Sequence, residues 1–271
     1  MAEKALELDH VGIKFNLSKE KVDSLKEYVI KLLKKELLYN EFWALQDISF
    51  SVEKGERLGI LGLNGAGKST LLKLLLGELS PSSGAVRLLG QDTARFRNWR
   101  RLGYVPQDGL ARHTDFPASV EEVVLANLSG EIGLFRFPRQ EHRERVRQAL
   151  ELVGMAGYGR RLIGALSGGQ RQRLSIARAL VKKAPVYIFD DTFSALDFKT
   201  DAKLRKALAG YTDGATVLIV AQRVSTIMHA EQIVVLDEGR VAGIGTHKQL
   251  LETCETYREI AQSQLSKEEL A

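Results

Sequence analysis

The pattern of apolar and polar positions predicts three strands in the first quarter of the chain. Residues Leu6–Phe15 and Trp43–Val52 alternate between the two classes, and Leu58–Leu61 is a short apolar run. Alternation is typical of a half-buried strand, and a short apolar run of a buried one. Between the first two, Ser18–Leu38 places apolar residues at helical spacing, with lysines on the other faces. The pattern favours a surface helix packed on the core, and a basic amphipathic helix near lipid or a partner is the alternative.

The rest of the chain alternates between predicted strands and helices. Further strands are predicted at Ala85–Leu89, Leu102–Val105, Val186–Phe189, Thr216–Val220, Gln232–Leu236 and Arg240–Ile244, and helices at Thr70–Leu76, Arg139–Val153, Arg171–Val181, Phe198–Ala209 and from Lys248 onward. Only helical patterns occur between about residues 117 and 165, where Ser119 and Glu122 form a capping-box pattern. We therefore predict an α/β fold with a small antiparallel part and an inserted helical lobe.

Composition limits the classes of function. The chain has 271 residues, 44% hydrophobic and 27% charged, which suits one large domain or one domain with a lobe. Its net charge of +5 suits an anionic ligand or a membrane-facing surface, and because the charges are spread along the chain, nucleic-acid binding is not implied. A single cysteine, Cys254, excludes an internal disulfide framework and a cysteine zinc cluster, and we interpret it as an incidental thiol on a C-terminal helix. Without a signal peptide or a spanning apolar run, we expect a cytosolic protein.

A glycine-rich loop supplies the clearest chemistry. Residues Gly62–Ser69 match G-x-x-x-x-G-K-[ST] between a predicted strand and a predicted helix, the context of a phosphate-binding loop. Backbone N–H groups and the helix N-terminus would face phosphate oxygens, with Lys68 at the β- and γ-phosphates and the Ser69 hydroxyl on Mg²⁺. The candidate nucleotide-binding residues are Gly62, Asn64, Gly65, Ala66, Gly67, Lys68, Ser69 and Thr70. A chance glycine turn with a solvated lysine is the alternative, which the flanking elements disfavour.

Three further motifs follow in order: Gln107 after a strand, Leu166–Gln170 with the sequence Leu-Ser-Gly-Gly-Gln, and the acidic strand end at Val186–Asp191. With these, the chain resembles the nucleotide-binding domain of ATP-binding cassette (ABC) transporters over nearly its whole length. The phosphate loop alone fits many NTPases, whereas Leu-Ser-Gly-Gly-Gln opening a helix is specific. The resemblance implies a single domain over residues 1–271 with a P-loop NTPase core of ABC type, an antiparallel β part and a helical subdomain at about 117–165.

The resemblance also implies roles for individual residues. Asp190 matches the Walker B aspartate and would hold Mg²⁺ together with Ser69, while Gln107 matches the Q-loop, which contacts the metal region and links the core to the helical lobe. The signature loop would contact the γ-phosphate of an ATP held by the opposite subunit, through Ser167, Gly168, Gly169 and Gln170. Asp197 belongs to the D-loop, which crosses the same interface. A working site would therefore need two chains with two ATP molecules between them.

The adenine of ATP usually stacks on an aromatic residue in this family. Phe15 is a candidate because it follows the first strand, and Trp43 because it lies near the second. A core or surface position is the alternative for either ring.

Two positions depart from the family pattern. Asp191 stands where a glutamate normally polarises the attacking water, and its carboxylate is one methylene shorter. Gln222 stands at the switch position, normally histidine, and cannot carry a charge. Together they resemble the degenerate half of a heterodimeric ABC exporter. Because the signature loop is intact, a heterodimer is favoured in which this chain mainly holds ATP.

Different parts of the chain resemble different branches of the family. The part from Phe15 to Leu76 is similar to ATPases of polysaccharide and teichoic-acid exporters, and Tyr104–Ser167 to those of zinc and manganese importers. The part from Tyr187 to His247 resembles the degenerate half of heterodimeric exporters. A recombined or engineered sequence is one hypothesis for this mosaic.

Two functions of different classes follow. The first is an ABC-type ATPase subunit that couples MgATP binding, dimerisation and hydrolysis to transport through a separate membrane subunit. The second is an ATP-dependent clamp with little turnover, paired with a competent partner. A family member acting on ribosomes or DNA is disfavoured, because the chain has neither two cassettes nor a long coiled coil. The expected partners are a second nucleotide-binding domain and a transmembrane subunit, with no nucleic acid, and the expected location is the inner face of the plasma membrane.

Overall fold

The computed structural model describes residues 3–18, 39–107, 109–110, 116–133, 135–193 and 198–265. Its strands are β1 Lys4–Ser18, β2 Tyr39–Glu53, β3 Arg57–Leu61, β4 Ser83–Leu88, β5 Gln91–Asp92, β6 Leu102–Val105, β7 Val186–Asp190, β8 Thr216–Ala221, β9 Gln232–Asp237 and β10 Arg240–Gly245. Its α-helices are α1 Lys68–Leu75, α2 Val120–Ala126, α3 Ser129–Ile132, α4 Gln140–Leu152, α5 Gly168–Leu180, α6 Phe198–Tyr211, α7 Val224–Ile227, α8 His247–Thr253 and α9 Glu255–Gln264. Short 3-10 helices lie at Trp99–Arg101 and Ile163–Ala165.

The strands form two sheets. One is antiparallel, in the order β2-β1-β4-β5, and the other has six strands in the order β10-β9-β3-β8-β7-β6. In the second sheet β3, β6, β7, β8 and β9 run parallel, and β10 adds an antiparallel edge. The predicted α/β class with a small antiparallel part is confirmed.

Three apolar clusters hold the layers together. Helix α1 buries Leu71, Leu72, Leu74 and Leu75 between the two sheets. On the other side, α5 packs with the helices of residues 120–152 against β6 and β7. A third cluster seats the C-terminal helices on β3, β8 and β9, with Tyr257 fully buried. Away from their ends, strands β3, β7 and β8 carry mainly apolar residues, because both faces of the parallel sheet are covered.

The helical patterns of the lobe are borne out by its described residues. Helices α2, α3 and α4 occupy this region, whose described residues contain no strand beyond one isolated bridge. Ser119 caps α2 through the expected box, because its hydroxyl accepts from the Glu122 N–H and the Glu122 carboxylate accepts from the Ser119 N–H. Within the described residues, no helix combines the length and the apolar composition needed to cross a bilayer.

Some expectations need correction. A helix does not begin at Ser18, because β1 continues to that residue and pairs with Tyr39 of β2. The remainder of the predicted amphipathic helix, residues 19–38, lies outside the described residues. Cys254 is buried between α8 and α9 rather than within a helix. The short strand β5 was not predicted, because both of its residues are exposed and neither is apolar.

Candidate nucleotide-binding site

The site forms where neighbouring parallel strands end. Leu61 at the end of β3 pairs with Ala221 of β8, and Asp190 at the end of β7 pairs with Val220 of β8. Strand β6 lies beside β7 and leads directly into Gln107. Since ligands of parallel sheets bind outside the carboxyl ends of the strands, this edge is the expected place for a site.

The glycine-rich loop has the conformation that its residue types require. Gly67 caps α1 with φ +98°, and a Cβ there would lie 2.7 Å from Leu45 Cδ2 and 2.9 Å from Ala44 O. Only glycine fits this left-handed, closely packed position. A Cβ at Gly65 would instead meet nothing within 4 Å, so the space in front of the loop is open. The loop therefore leaves open space beside Gly65, near the N-terminus of α1.

Lys68 is held inside the loop. Its ammonium donates hydrogen bonds to the carbonyl oxygens of Gly62 at 2.5 Å and Leu63 at 2.8 Å. Burial lowers the pKa of Lys68, while the carboxylates of Asp191 and Asp190 act in the opposite direction. The two carboxylates therefore favour a charged ammonium in a half-buried position.

Asp191 and Gln222, the two departures from the family pattern, contact each other. The Gln222 side-chain amide donates a hydrogen bond of 2.9 Å to Asp191 Oδ2. Asp191 has φ +41°, and its N–H donates to the Val220 carbonyl at 2.8 Å. Aspartate tolerates this left-handed region better than most residues, because its short polar side chain can bond locally.

A cleft of about 360 Å³ brings the predicted residues together. It is lined by Phe42, Ala44, Asn64, Gly65, Gly67, Lys68, Ser69, Thr70, Gln107, Asp190, Asp191, Val220 and Gln222. Residues of the glycine-rich loop thus share one cleft with the residues predicted as the Q-loop glutamine, the two acidic residues and the switch residue. A cleft of this size fits a small molecule.

The cleft contains an aromatic residue that the sequence analysis missed. Phe42 lines it with 54% of its surface exposed, while Trp43 lines a separate hollow with His10 and Asp47. Neighbouring residues of a strand point to opposite faces, which is why Phe42 and Trp43 separate. Trp43 therefore lies outside the lining of this cleft, and its contact with adenine stays a prediction. Phe15 pairs directly with Phe42 across β1 and β2, so it lies on the face of Phe42 and stays a prediction.

The signature loop lies outside this cleft. Ser167 is the N-cap of α5, its hydroxyl accepts from the Gln170 N–H at 3.3 Å, and Gln170 Oε1 accepts from the Ser167 N–H at 2.9 Å. A Cβ at Gly168 would meet nothing within 4 Å. Helix α5 thus begins inside the motif, three residues earlier than predicted. The loop is an open helix N-terminus on another part of the surface, and Asp197 lies outside the described residues.

Gln172 connects the signature helix to the cleft, which the sequence analysis did not anticipate. Its side-chain amide is buried and donates to the Thr192 carbonyl at 3.0 Å, just after Asp191. A Cβ at Gly109, two residues after Gln107, would lie 2.6 Å from Gln172 Oε1. One side chain of α5 therefore touches both the segment after Gln107 and the segment after Asp191. The sequence pattern of α5 did not indicate that Gln172 is buried, because polar residues on a helix usually belong to its solvent-exposed face.

The candidate metal ligands all offer side-chain oxygen atoms. Ser69, Gln107 and Asp190 line the same cleft, and hydroxyl, amide and carboxylate oxygens suit Mg²⁺. No group of three or more His, Cys, Asp and Glu residues that could hold a metal occurs in the described part of the chain. These residues fit a Mg²⁺ ion that takes its remaining ligands from phosphate and water.

Comparisons with known proteins agree with this geometry. The family model described as "ABC transporter" matches residues 45–194. The uncharacterized ABC transporter ATP-binding protein Rv1273c of Mycobacterium tuberculosis is 37% identical over 234 residues, which cover 81% of this chain and 38% of that protein. The zinc uptake system ATP-binding protein ZurA of Listeria innocua is 41% identical over 184 residues, covering 67% of this chain and 72% of ZurA.

Solved structures show the same fold. A bacterial Atm1-family ABC exporter with ATP bound matches with a TM-score of 0.74 and 29% identity, covering 97% of this chain and 42% of the exporter chain. This chain spans less than half the length of Rv1273c and of the exporter.

Proposed function

Because this chain belongs to the ABC transporter family, we propose that it is an ATPase subunit that couples MgATP binding, dimerisation and hydrolysis to transport through a separate membrane subunit. The observation that carries the proposal is the cleft shared by Lys68, Asp190, Asp191, Gln107 and Gln222. Family membership supports ATP as the ligand, and the cleft supports a reaction at its terminal phosphate.

The phosphate loop positions the nucleotide. The open backbone in front of Gly65 and the N-terminus of α1 would receive the β- and γ-phosphates, with Lys68 exchanging its carbonyl partners for phosphate oxygens. Phe42 and Phe15 lie on one face of the β1–β2 pair and would contact the adenine. Ser69 and Asp190 would hold Mg²⁺, which neutralises charge on the phosphates when it is bound.

Asp191 and Gln222 would act on the attacking water. Asp191 carries the carboxylate that accepts a proton, and Gln222 orients that carboxylate through the bond of 2.9 Å. Asp191 has a shorter reach than glutamate, and Gln222 cannot carry the charge of a histidine. We therefore expect slow hydrolysis compared with a site that has both.

A complete site would use two chains. The signature loop of this chain is an open helix N-terminus away from its own cleft, so it is available to a nucleotide held by a second nucleotide-binding domain. The partner is then a second copy or a related competent subunit. Rv1273c is named as an ATP-binding protein and ZurA as part of a zinc uptake system. By analogy with them, we propose that this chain pairs with a transmembrane subunit and lies on the inner face of the plasma membrane. We expect no nucleic-acid partner.

One experiment tests this proposal. MgATP hydrolysis is measured for the purified chain beside the double variant Asp191→Glu/Gln222→His, with ATP affinity measured for both. We expect both proteins to bind ATP and the double variant to hydrolyse it faster by at least about tenfold, since general base geometry contributes on the order of 10²–10⁴ to rates. Absence of ATP binding by the unaltered chain would refute the proposal. Equal, fast hydrolysis by both would refute the roles of these two residues.

A further inference from the structure

A second concavity lies behind the catalytic strands, between α6 and α7. Its volume is about 370 Å³, and none of the residues of the nucleotide cleft line it. The floor consists of buried apolar side chains from β7, β8 and α7, including Phe189, Val217 and Ile227. Apolar concavities of this size are the usual form of small-molecule sites.

Small residues on α6 keep this groove open. Ala202 and Ala209 line it seven residues apart, and Arg205 lies between them on the same helix face. Thr212 continues the lining beyond the helix. Large side chains at the alanine positions would fill part of the groove.

The rim of the groove is basic. Arg57, Arg205, Lys206 and His229 line it, and among the described residues no Asp or Glu does. Two of these groups have protein partners, since Arg205 pairs with Asp201 at 2.9 Å and Arg57 donates to the Ala209 carbonyl at 3.1 Å. In the described part of the chain, Lys206 and His229 form no ion pair. A negatively charged group would therefore meet an unopposed ammonium and further N–H donors at the edge of an apolar floor.

The groove is adjacent to the machinery for hydrolysis. Phe189 directly precedes Asp190 in β7, and Phe193 follows Asp191 by two residues. Helix α7, which supplies Ile227, begins two residues after Gln222. A molecule wedged between α6 and α7 would thus press on the segments that carry both Asp191 and Gln222. Packed contacts of this kind transmit small displacements between sites.

We propose that this groove binds a small amphiphilic carboxylate, with its apolar body on the Phe189 floor and its carboxylate at the Lys206 rim, and that its occupancy changes the rate of ATP hydrolysis. The regulatory part rests on the proposed ATPase function, whereas the binding part does not.

Calorimetry without nucleotide tests the binding part. Three probes are titrated into the full chain below their micellar concentrations: decanoate, butyrate, which lacks the long apolar body, and decyltrimethylammonium, which has the opposite charge. We expect decanoate to bind at least about tenfold more tightly than either, since burial of apolar groups and charge pairing both contribute to its affinity. Equal binding of decanoate and decyltrimethylammonium would overturn the assignment of an anion.

Variants locate the site. Ala202→Trp and Ala209→Phe fill the groove, and the first replaces an exposed residue, so it should leave the fold intact. Both are expected to weaken decanoate binding at least about tenfold. Lys206→Glu should weaken it similarly, while Lys203→Glu, on the same helix but outside the groove, should not. Unchanged affinity in Ala202→Trp and Lys206→Glu would place any decanoate binding elsewhere and overturn the proposal.

Hydrolysis tests the regulatory part. Saturating decanoate should change the MgATPase rate of the unaltered chain at least about twofold and leave the rate of Ala202→Trp unchanged. An unchanged rate in a chain that binds decanoate would overturn the regulation alone. A chain that binds decanoate without any hydrolysis to regulate would instead count against the proposed function.

Discussion

At the scale of single residues, Asp191 combines a proposed chemical role with a backbone constraint. Its φ of +41° lies in the left-handed region, where a residue with a longer side chain is strained by about 1 kcal/mol. The Gln222 amide donates a hydrogen bond to one oxygen of its carboxylate, which fixes the orientation of that group. The short residue therefore suits its backbone, although its reach is smaller than that of glutamate.

Asp191→Asn tests the carboxylate alone. Asparagine also tolerates the left-handed region, so the backbone should keep its conformation. We expect hydrolysis to fall by at least about tenfold while ATP affinity changes by less than about twofold, because the proton acceptor is lost and the phosphate contacts are kept. Steady-state hydrolysis and nucleotide titration measure the two quantities. Hydrolysis at the original rate would mean that another group accepts the proton.

Lys68→Ala tests the phosphate loop. Removing the ammonium deletes the only side-chain cation among the residues lining the described cleft, so most ATP binding should be lost. Lys73→Ala is the matched control, because Lys73 lies in the last turn of α1 and does not line the cleft. Titration with a fluorescent ATP analogue compares them. ATP affinity of Lys68→Ala equal to that of the control would refute the role.

At the scale of elements, the caps of two helices allow the effect of a substitution on stability to be separated from its effect on hydrolysis. Ser119 and Ser167 form the same capping box at α2 and α5, and only Ser167 belongs to the signature loop. Alanine at either position should destabilise the fold by about 1 kcal/mol. Thermal melting should show similar losses for both.

The functional prediction concerns Ser167 alone. Ser167→Arg blocks the open helix N-terminus with a long side chain, so hydrolysis by the assembled pair should fall while this chain still binds ATP. Ser119→Ala should leave hydrolysis unchanged at a temperature where it is folded. Full activity of an assembly carrying Ser167→Arg would count against a site shared between chains.

The β9–β10 hairpin braces the phosphate loop. Gly239, at its turn, donates to the Ala66 carbonyl at 3.3 Å and accepts from the Gln46 N–H at 2.7 Å. A Cβ there would lie 2.5 Å from the Ala44 carbonyl oxygen, whereas one at Gly214, with the same φ of +75°, would meet nothing. The two glycines share a backbone conformation and differ in their surroundings.

Gly239→Ala should therefore destabilise the fold more than Gly214→Ala and should also weaken ATP binding. Gly214→Ala should cost about 1 kcal/mol for its conformation alone. Urea unfolding and ATP titration measure both effects. Equal unfolding free energies and equal ATP affinities would show that the contact with Ala44 can relax.

At the scale of the whole molecule, the proposed completion of the site by a second chain would make activity depend on protein concentration. If copies of this chain pair, hydrolysis per chain should rise with protein concentration. Asp191→Asn with MgATP should shift the mass measured by light scattering toward a dimer, and removal of Mg²⁺ by EDTA should stop hydrolysis. Constant activity per chain, with monomeric mass throughout, would indicate that the copies do not pair.

Much of the fold could be predicted because its signals are local. Apolar strands such as β7, the cap at Ser119 and the glycines of the phosphate loop each depend on neighbouring residues. Phe42 and Gln172 could not be found in this way. Which face Phe42 occupies depends on the pairing of β1 with β2, and the contacts of Gln172 depend on how α5 packs beside two distant segments.

The internal bonds of Lys68 have a kinetic consequence. Its ammonium is held by two carbonyl groups of the same loop, and these bonds brace the loop in one shape. Nucleotide would then enter a preorganised cradle, and association would require only an exchange of partners at one ammonium. The association rate of the nucleotide should consequently depend on diffusion and charge. The lifetime of the complex should depend on how readily the two carbonyl groups bind the Lys68 ammonium again.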